Sequence, residues 1–337
     1  MSWPTRQGFF ALGELPLMSG GVLPAARLSW KAYGTLSSAR DNVVVYPTSY
    51  SAQHQDIEWA IGPSSVLDPN RWFIVIADMF GNGLSSSPSN TQNYPELVTA
   101  EDNVLAQQRL LREVFGVDRI ACAYGFSMGA QQAYHWAALE PHVADRAIIV
   151  CGSARTSVHN RVFLAGLMAI LESAPEYIGD GRFASAPNAA IRAFARVYAG
   201  WAMSQDWFRA GLHLSSTGAT NLDAFLDDHW EPGFRKLSAA DLYAQLRTWY
   251  ACDISDNARY HGDLAAALAA IRSRVLLIPS ATDLYFPVAD NAAELEWLSA
   301  AKLRPIPSIW GHVAGAPSDI PEDAAFLRTA VQTWLSA

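Results

Sequence analysis

Short apolar runs, each bounded by turn residues and separated by helix-forming stretches, set the rhythm of this 337-residue chain. Residues 42–46, 72–77, 120–124, 147–151, 275–279 and 305–310 are six such runs. Val43-Val44-Val45 and Ile74-Val75-Ile76 are apolar without alternation. A strand of that kind has both faces covered, as in a parallel sheet between helical layers. Residues 8–12 and 28–33 precede the series and read as an antiparallel pair. A helix is predicted over residues 95–115, with Val98, Val104, Leu105, Leu110 and Leu111 as its apolar positions. Strands alternating with helices predict an α/β protein with a mostly parallel, doubly wound, eight-stranded sheet and helices on both faces.

The rhythm breaks over residues 155–262. Helical patterns recur at 162–172, 189–201, 222–230 and 239–250, with no strand between them, and aromatic residues are dense. The expected organisation is therefore a core of residues 1–154 and 263–337 interrupted by a helical insertion. An insertion placed there stands over the C-terminal ends of the strands, where open α/β sheets bind ligands. It reads as a lid.

The segment Gly125-Phe126-Ser127-Met128-Gly129 follows one buried run directly and opens a helix-forming stretch. A strand that turns sharply into a helix needs small residues two before and two after the apex, because larger ones collide with neighbouring elements. The apex residue is then held in a strained backbone conformation that exposes its hydroxyl, beside the free N–H groups of the new helix. Ser127 is thus the candidate nucleophile. A serine needs a base, and the base needs an orienting group. On folds with this elbow the chain order is serine, acid, histidine, each in a loop just past a strand. Asp283 follows the run at 275–279, and Gly311-His312 follows the run at 305–310. The other seven histidines follow no late strand. An oxyanion hole needs two N–H donors. The expected ones are Met128, after the nucleophile, and Tyr50, in the loop after the first buried strand. His54 and Trp59 stand near enough in sequence to shape the pocket wall.

Composition narrows the partners. Half of the residues are hydrophobic, 17% are charged, and the net charge is −8 without a basic block. That argues against nucleic acid and against anionic membrane surfaces. No apolar run approaches a membrane span, and the N-terminus lacks a charged start followed by an apolar core. Cys122, Cys151 and Cys252 form no metal-like pairs, so no metal is expected, and a reducing, cytoplasmic setting is.

Further motifs lie in register around the elbow: Tyr33-Gly34-Thr35-Leu36, Asp41-Asn42, Ile61-Gly62-Pro63, Leu67-Asp68, Gly81-Asn82-Gly83-Leu84-Ser85 and residues 99–107. Together with Ser127, Asp283 and Gly311-His312 they resemble the homoserine O-acetyltransferase family of α/β-hydrolase-fold proteins, over about half of the chain. The resemblance implies a Ser127-Asp283-His312 triad, a helical lid and a homodimer formed through that lid. It also implies acetyl-CoA as co-substrate if the chain is a transferase; otherwise no cofactor is expected. The departures concern the acceptor. The family places aspartate after the histidine to hold the substrate ammonium, where this chain has Val313. A lid tyrosine of the family corresponds to Met203. Arg196 matches a lid arginine that meets the substrate carboxylate, although a surface or packing role fits it equally. Thr48 stands where the family tends to have histidine. Without a partner for an ammonium, homoserine is a poor acceptor. The leading expectation is a serine hydrolase acting on a small ester or activated acyl group. The alternative is an acyl-CoA-dependent O-acyltransferase with an altered acceptor, and a non-catalytic binding relative comes third.

Overall fold

The computed structural model describes residues 3–336. Eight strands form one sheet: β1 (Thr5–Pro16), β2 (Val22–Tyr33), β3 (Val43–Pro47), β4 (Phe73–Ala77), β5 (Cys122–Phe126), β6 (Arg146–Val150), β9 (Arg274–Ile278) and β10 (Ala301–Leu303). Their spatial order is β1-β2-β4-β3-β5-β6-β9-β10. The pairs β1–β2 and β2–β4 are antiparallel and all later pairs are parallel. This is the mostly parallel eight-stranded sheet that the unalternating runs predict.

Side chains alternate across a strand, so each apolar run supplies two cores. Val43, Val45, Phe73 and Val75 pack on one face with Val104 and Leu110 of the helix Ala100–Leu110 and Ala133 and Ala137 of the helix Met128–Leu139. Val44, Tyr46, Ile74 and Ile76 pack on the other with Leu327, Val331 and Trp334 of the helix Pro321–Ser336. Each buried Val or Ile contributes about 2 kcal/mol relative to exposure. A polar residue anywhere in these runs would face one core or the other.

Three elements differ from expectation. The last strand is Ala301–Leu303, not residues 305–310, which contribute only an isolated bridge from Ile306 to Ser280. Pro305 and Pro307 lack the N–H donors that a ladder needs. The first long helix begins at Ala100 rather than near residue 95, because Thr99 caps it. Asp102 N–H donates to Thr99 Oγ1 at 3.1 Å, and Thr99 N–H returns a bond to the Asp102 carboxylate at 2.8 Å. The insertion also contains a hairpin, β7 (Tyr177–Gly179) with β8 (Arg182–Phe183). It turns at Gly179, Asp180 and Gly181, all of which have positive φ.

The insertion's main helices are Val158–Glu172, Asn188–Ala202 and Ala239–Ala251. Their inward residues Phe163, Leu167, Phe194, Leu246 and Trp249 share a core with Tyr50, Met79, Met128 and Tyr285. Those four follow β3, β4, β5 and β9 respectively, so the insertion packs across the C-terminal strand ends.

Candidate active site

Ser127 sits between β5 and the helix Met128–Leu139 with φ 56° and ψ −126°. Its strain is held in place by glycines. A Cβ on Gly125 would lie 2.1 Å from the Gly129 carbonyl oxygen, and one on Gly129 would lie 2.6 Å from that of Pro47. Neither obstacle is a side chain that can swing away. Gly125→Ala should therefore destabilise the protein by about 3–5 kcal/mol, the range of severe core defects. Urea denaturation measures this, and an unchanged midpoint would contradict the packing argument.

His312 lies in a short helical turn, Gly311–Gly315, just past the bridged Ile306. Its Nε2 is 2.9 Å from Ser127 Oγ and its Nδ1 is 2.7 Å from Asp283 Oδ2. The carboxylate can only accept, so Nδ1 carries the proton and Nε2 turns its lone pair toward the serine. Asp283 is fixed in turn, since the N–H groups of Tyr285 and Phe286 donate to its Oδ1 at 2.8 and 3.2 Å. The imidazole is walled by Phe126 and Tyr285, with ring centroids 4.7 and 4.8 Å away. Ser127, Asp283 and His312 are all buried, the serine being only 3% exposed.

Gly311, which the sequence pairs with His312, and Gly315, which sequence reasoning passed over, permit this approach. A Cβ on Gly311 would meet the Ala202 carbonyl at 2.6 Å, and one on Gly315 would meet Cys151 Sγ and Phe126 at the same distance. Cys151 Sγ, Asp283 and His312 place donor atoms within 4.8 Å of one another. The 2.7 Å contact between histidine and aspartate is that of a hydrogen bond, and is shorter than the roughly 3.3 Å between two ligands of a tetrahedral zinc. Burial also holds the Cys151 thiol well above its ordinary pKa, so it stays protonated. The trio is a hydrogen-bonded dyad over a neutral thiol.

Met128 N–H is the first amide of its helix and has no carbonyl one turn back to accept it. Tyr50 N–H donates to no protein acceptor among the described residues. Behind this loop lies Asp78, fully buried, which sequence reasoning missed. Its carboxylate accepts from His54 N–H (2.8 Å), Asn82 Nδ2 (3.1 Å) and Ser29 Oγ (2.8 Å), and pairs with His54 Nδ1 at 2.8 Å. That hydrogen bond raises the His54 pKa. His54 thus braces the loop through Asp78, a role its sequence position alone did not reveal. Thr48 is buried, and its hydroxyl accepts from Met79 N–H at 2.9 Å.

Of the two roles left open for Arg196, the structure shows the ion-paired surface one. Arg196 does not stand free to meet a carboxylate. It is paired with Asp223, Asp227 and Glu231, three acids that already balance its charge. Met203 and Val313 do come together, but in an apolar cluster with Trp207, Phe225 and Trp310. Both departures thus remove polarity from one place.

The family model for the α/β-hydrolase fold matches residues 56–315. An ethyl acetate hydrolase of Pseudomonas veronii is 33% identical over 309 residues, covering 90% of this chain and 88% of its own. The solved structure of the acetyl esterase MekB superposes with a TM-score of 0.93 at 30% identity, covering 98% of this chain and 97% of that one. A homoserine O-acetyltransferase of Thermobifida fusca is 27% identical over 333 residues, covering 88% of this chain and 86% of its own. The resemblance carried by the motifs is therefore present, alongside esterases of higher identity. With a serine elbow, the matching order of acid and histidine, and this likeness across nearly its whole length, the chain belongs to the α/β-hydrolase fold family.

Proposed function

We propose that the protein is a serine esterase that hydrolyses small, uncharged carboxylic esters. The observation that carries this reading is the hydrogen-bonded line from Asp283 through His312 to Ser127, at 2.7 and 2.9 Å. As Ser127 Oγ attacks the ester carbonyl, its proton passes to His312 Nε2 and Asp283 stabilises the imidazolium. The carbonyl oxygen becomes an oxyanion held by Met128 N–H and Tyr50 N–H. The C–O bond then breaks, and the leaving alkoxide takes the proton from His312. Water repeats the sequence on the acyl-enzyme. The insertion, residues 155–262, acts as the lid that keeps this site dry.

Identity to an ethyl acetate hydrolase and an acetyl esterase supports water as acceptor and acetate-sized acyl groups. The neutralised Arg196 and the apolar pair Met203 and Val313 weigh against an amino-acid acceptor. Product analysis tests this. Ethyl acetate should yield acetate and ethanol, whereas acetyl-CoA with homoserine should yield no O-acetylhomoserine. Acetyl transfer to homoserine outpacing ester hydrolysis would favour the transferase reading, with acetyl-CoA as co-substrate.

The working form is a homodimer assembled through the lid, and its setting is the cytoplasm. The outer face of the helix Val158–Glu172 exposes Val158 (78%) and Val162 (66%) with Ala165, Gly166 and Ala169, and Val197 lies on the adjoining helix. Burial against a second copy would cover this apolar strip. Light scattering should give twice the chain mass, and Val162→Asp should reduce it to one; a monomeric wild type would sink the dimer. All three cysteines are buried and unpaired, which suits a reducing compartment.

A further inference from the structure

We propose that Gln245 is a positioning residue for the oxyanion hole, through which the lid sets the place of Tyr50 N–H. The inference rests on the esterase reading and gives the lid a second task besides excluding water. The loop after β3 is anchored at its start by the elbow's own helix, where Gln132 Nε2 donates to the Thr48 carbonyl at 3.0 Å. The chain then turns over residues 49–52, and Ala52 N–H donates to the Ser49 carbonyl at 3.1 Å. Ser51, third in that turn, has φ 59°, whereas Tyr50 before it has no positive φ. That is the pattern of a type II turn, whose third residue is ordinarily glycine or asparagine. A serine there is strained and needs support from its surroundings.

The support comes from the lid helix Ala239–Ala251. Gln245 is only 2% exposed, and its Oε1 accepts from Ser51 N–H at 2.9 Å. Its Nε2 donates to the Gly81 carbonyl at 2.7 Å, in the loop after β4. Leu242, three residues earlier on the same face of the helix, accepts the Tyr50 hydroxyl at 3.3 Å. Tyr50 is therefore held by its side chain and by the peptide that follows it, both from the lid. A buried amide that satisfies backbone groups of two separate loops is costly to remove. Without the Gln245 acceptor, Ser51 can exchange its positive φ for an ordinary one, and Tyr50 N–H loses its fixed position. A displaced donor matters most in the transition state, where charge has developed on the carbonyl oxygen.

Gln245→Met keeps the size of the side chain and removes both hydrogen bonds. It should lower kcat for ethyl acetate about 10–100-fold and change KM less than about twofold. Inhibition by trifluoroacetone should weaken by a similar factor. Ser127 Oγ adds to its carbonyl carbon, His312 takes the serine proton, and the ketone oxygen becomes the oxyanion that the hole must hold. Adding Ser51→Gly makes the positive φ easy without Gln245, so the double variant should return to within about fivefold of wild-type kcat. Thr248→Val removes a buried hydrogen bond from the same helix, to the Val98 carbonyl, and should keep kcat within about twofold. An unchanged kcat in Gln245→Met, a double variant below about a fifth of wild-type kcat, or an equal loss in Thr248→Val would overturn the proposal. The double variant carries the test should Gln245→Met alone not fold. A wild-type protein that does not cleave ethyl acetate would instead overturn the esterase reading on which it stands.

Discussion

Ser127→Ala should lower kcat for ethyl acetate by about 10^6-fold, the loss found when the nucleophile of a serine enzyme is removed. The fold should survive, because the side chain contributes one hydrogen bond, to His312. Ser127→Gly carries the sharper consequence. The serine is held at φ 56°, ψ −126°, a region where residues with a Cβ are strained by about 1–3 kcal/mol. Glycine relieves that strain but gives back part of the gain to the freer unfolded chain. A net stabilisation of about 1 kcal/mol is expected, or about 1 °C in Tm for a protein of this size. An enzyme made inactive and slightly more stable by one substitution would show strain held for the sake of catalysis. Calorimetry beside an activity assay decides it. A clear fall in Tm for the glycine variant would mean that the elbow is not strained, and an alanine variant that keeps more than about a hundredth of wild-type kcat would exclude Ser127 as nucleophile.

Asp283→Asn should lower kcat by about 10^4-fold with little change in Tm. The amide is isosteric, and its oxygen can still accept from Tyr285 and Phe286 N–H in place of Oδ1. Its NH2 group then faces His312 Nδ1 and can only donate. The imidazole responds by moving its proton to Nε2, where it points at Ser127 and can no longer act as a base. The defect is one of tautomer rather than position. A variant that keeps more than a tenth of wild-type kcat would remove Asp283 from the orienting role.

The site was legible in the sequence to the extent that it is local. Gly125, Ser127 and Gly129 define their turn within five residues, and the collisions a Cβ would meet at the two glycines explain why that spacing is informative. Asp283 could be found because strand ends are marked by apolar runs. His312 is legible although the last strand ends at Leu303 rather than running past Pro305, because its loop still begins at a sheet edge. Arg196 shows where this reasoning stops. Its neutralising partners lie 27 to 35 residues away, on segments whose approach depends on tertiary packing. Asp78 was hidden for the same reason: its partners come from β2, its own loop and the segment around His54.

The 2.9 Å contact between Ser127 and His312 spans 185 residues of chain. Between them lie three further strands of the main sheet, the whole insertion and the loop that carries Asp283. Closing so long a loop becomes favourable only after intervening structure has shortened the effective path. Refolding should therefore restore helix content and burial before any turnover appears. During a folding reaction the chemistry reports the last assembly step, and an inhibitor that labels Ser127 would count only finished molecules.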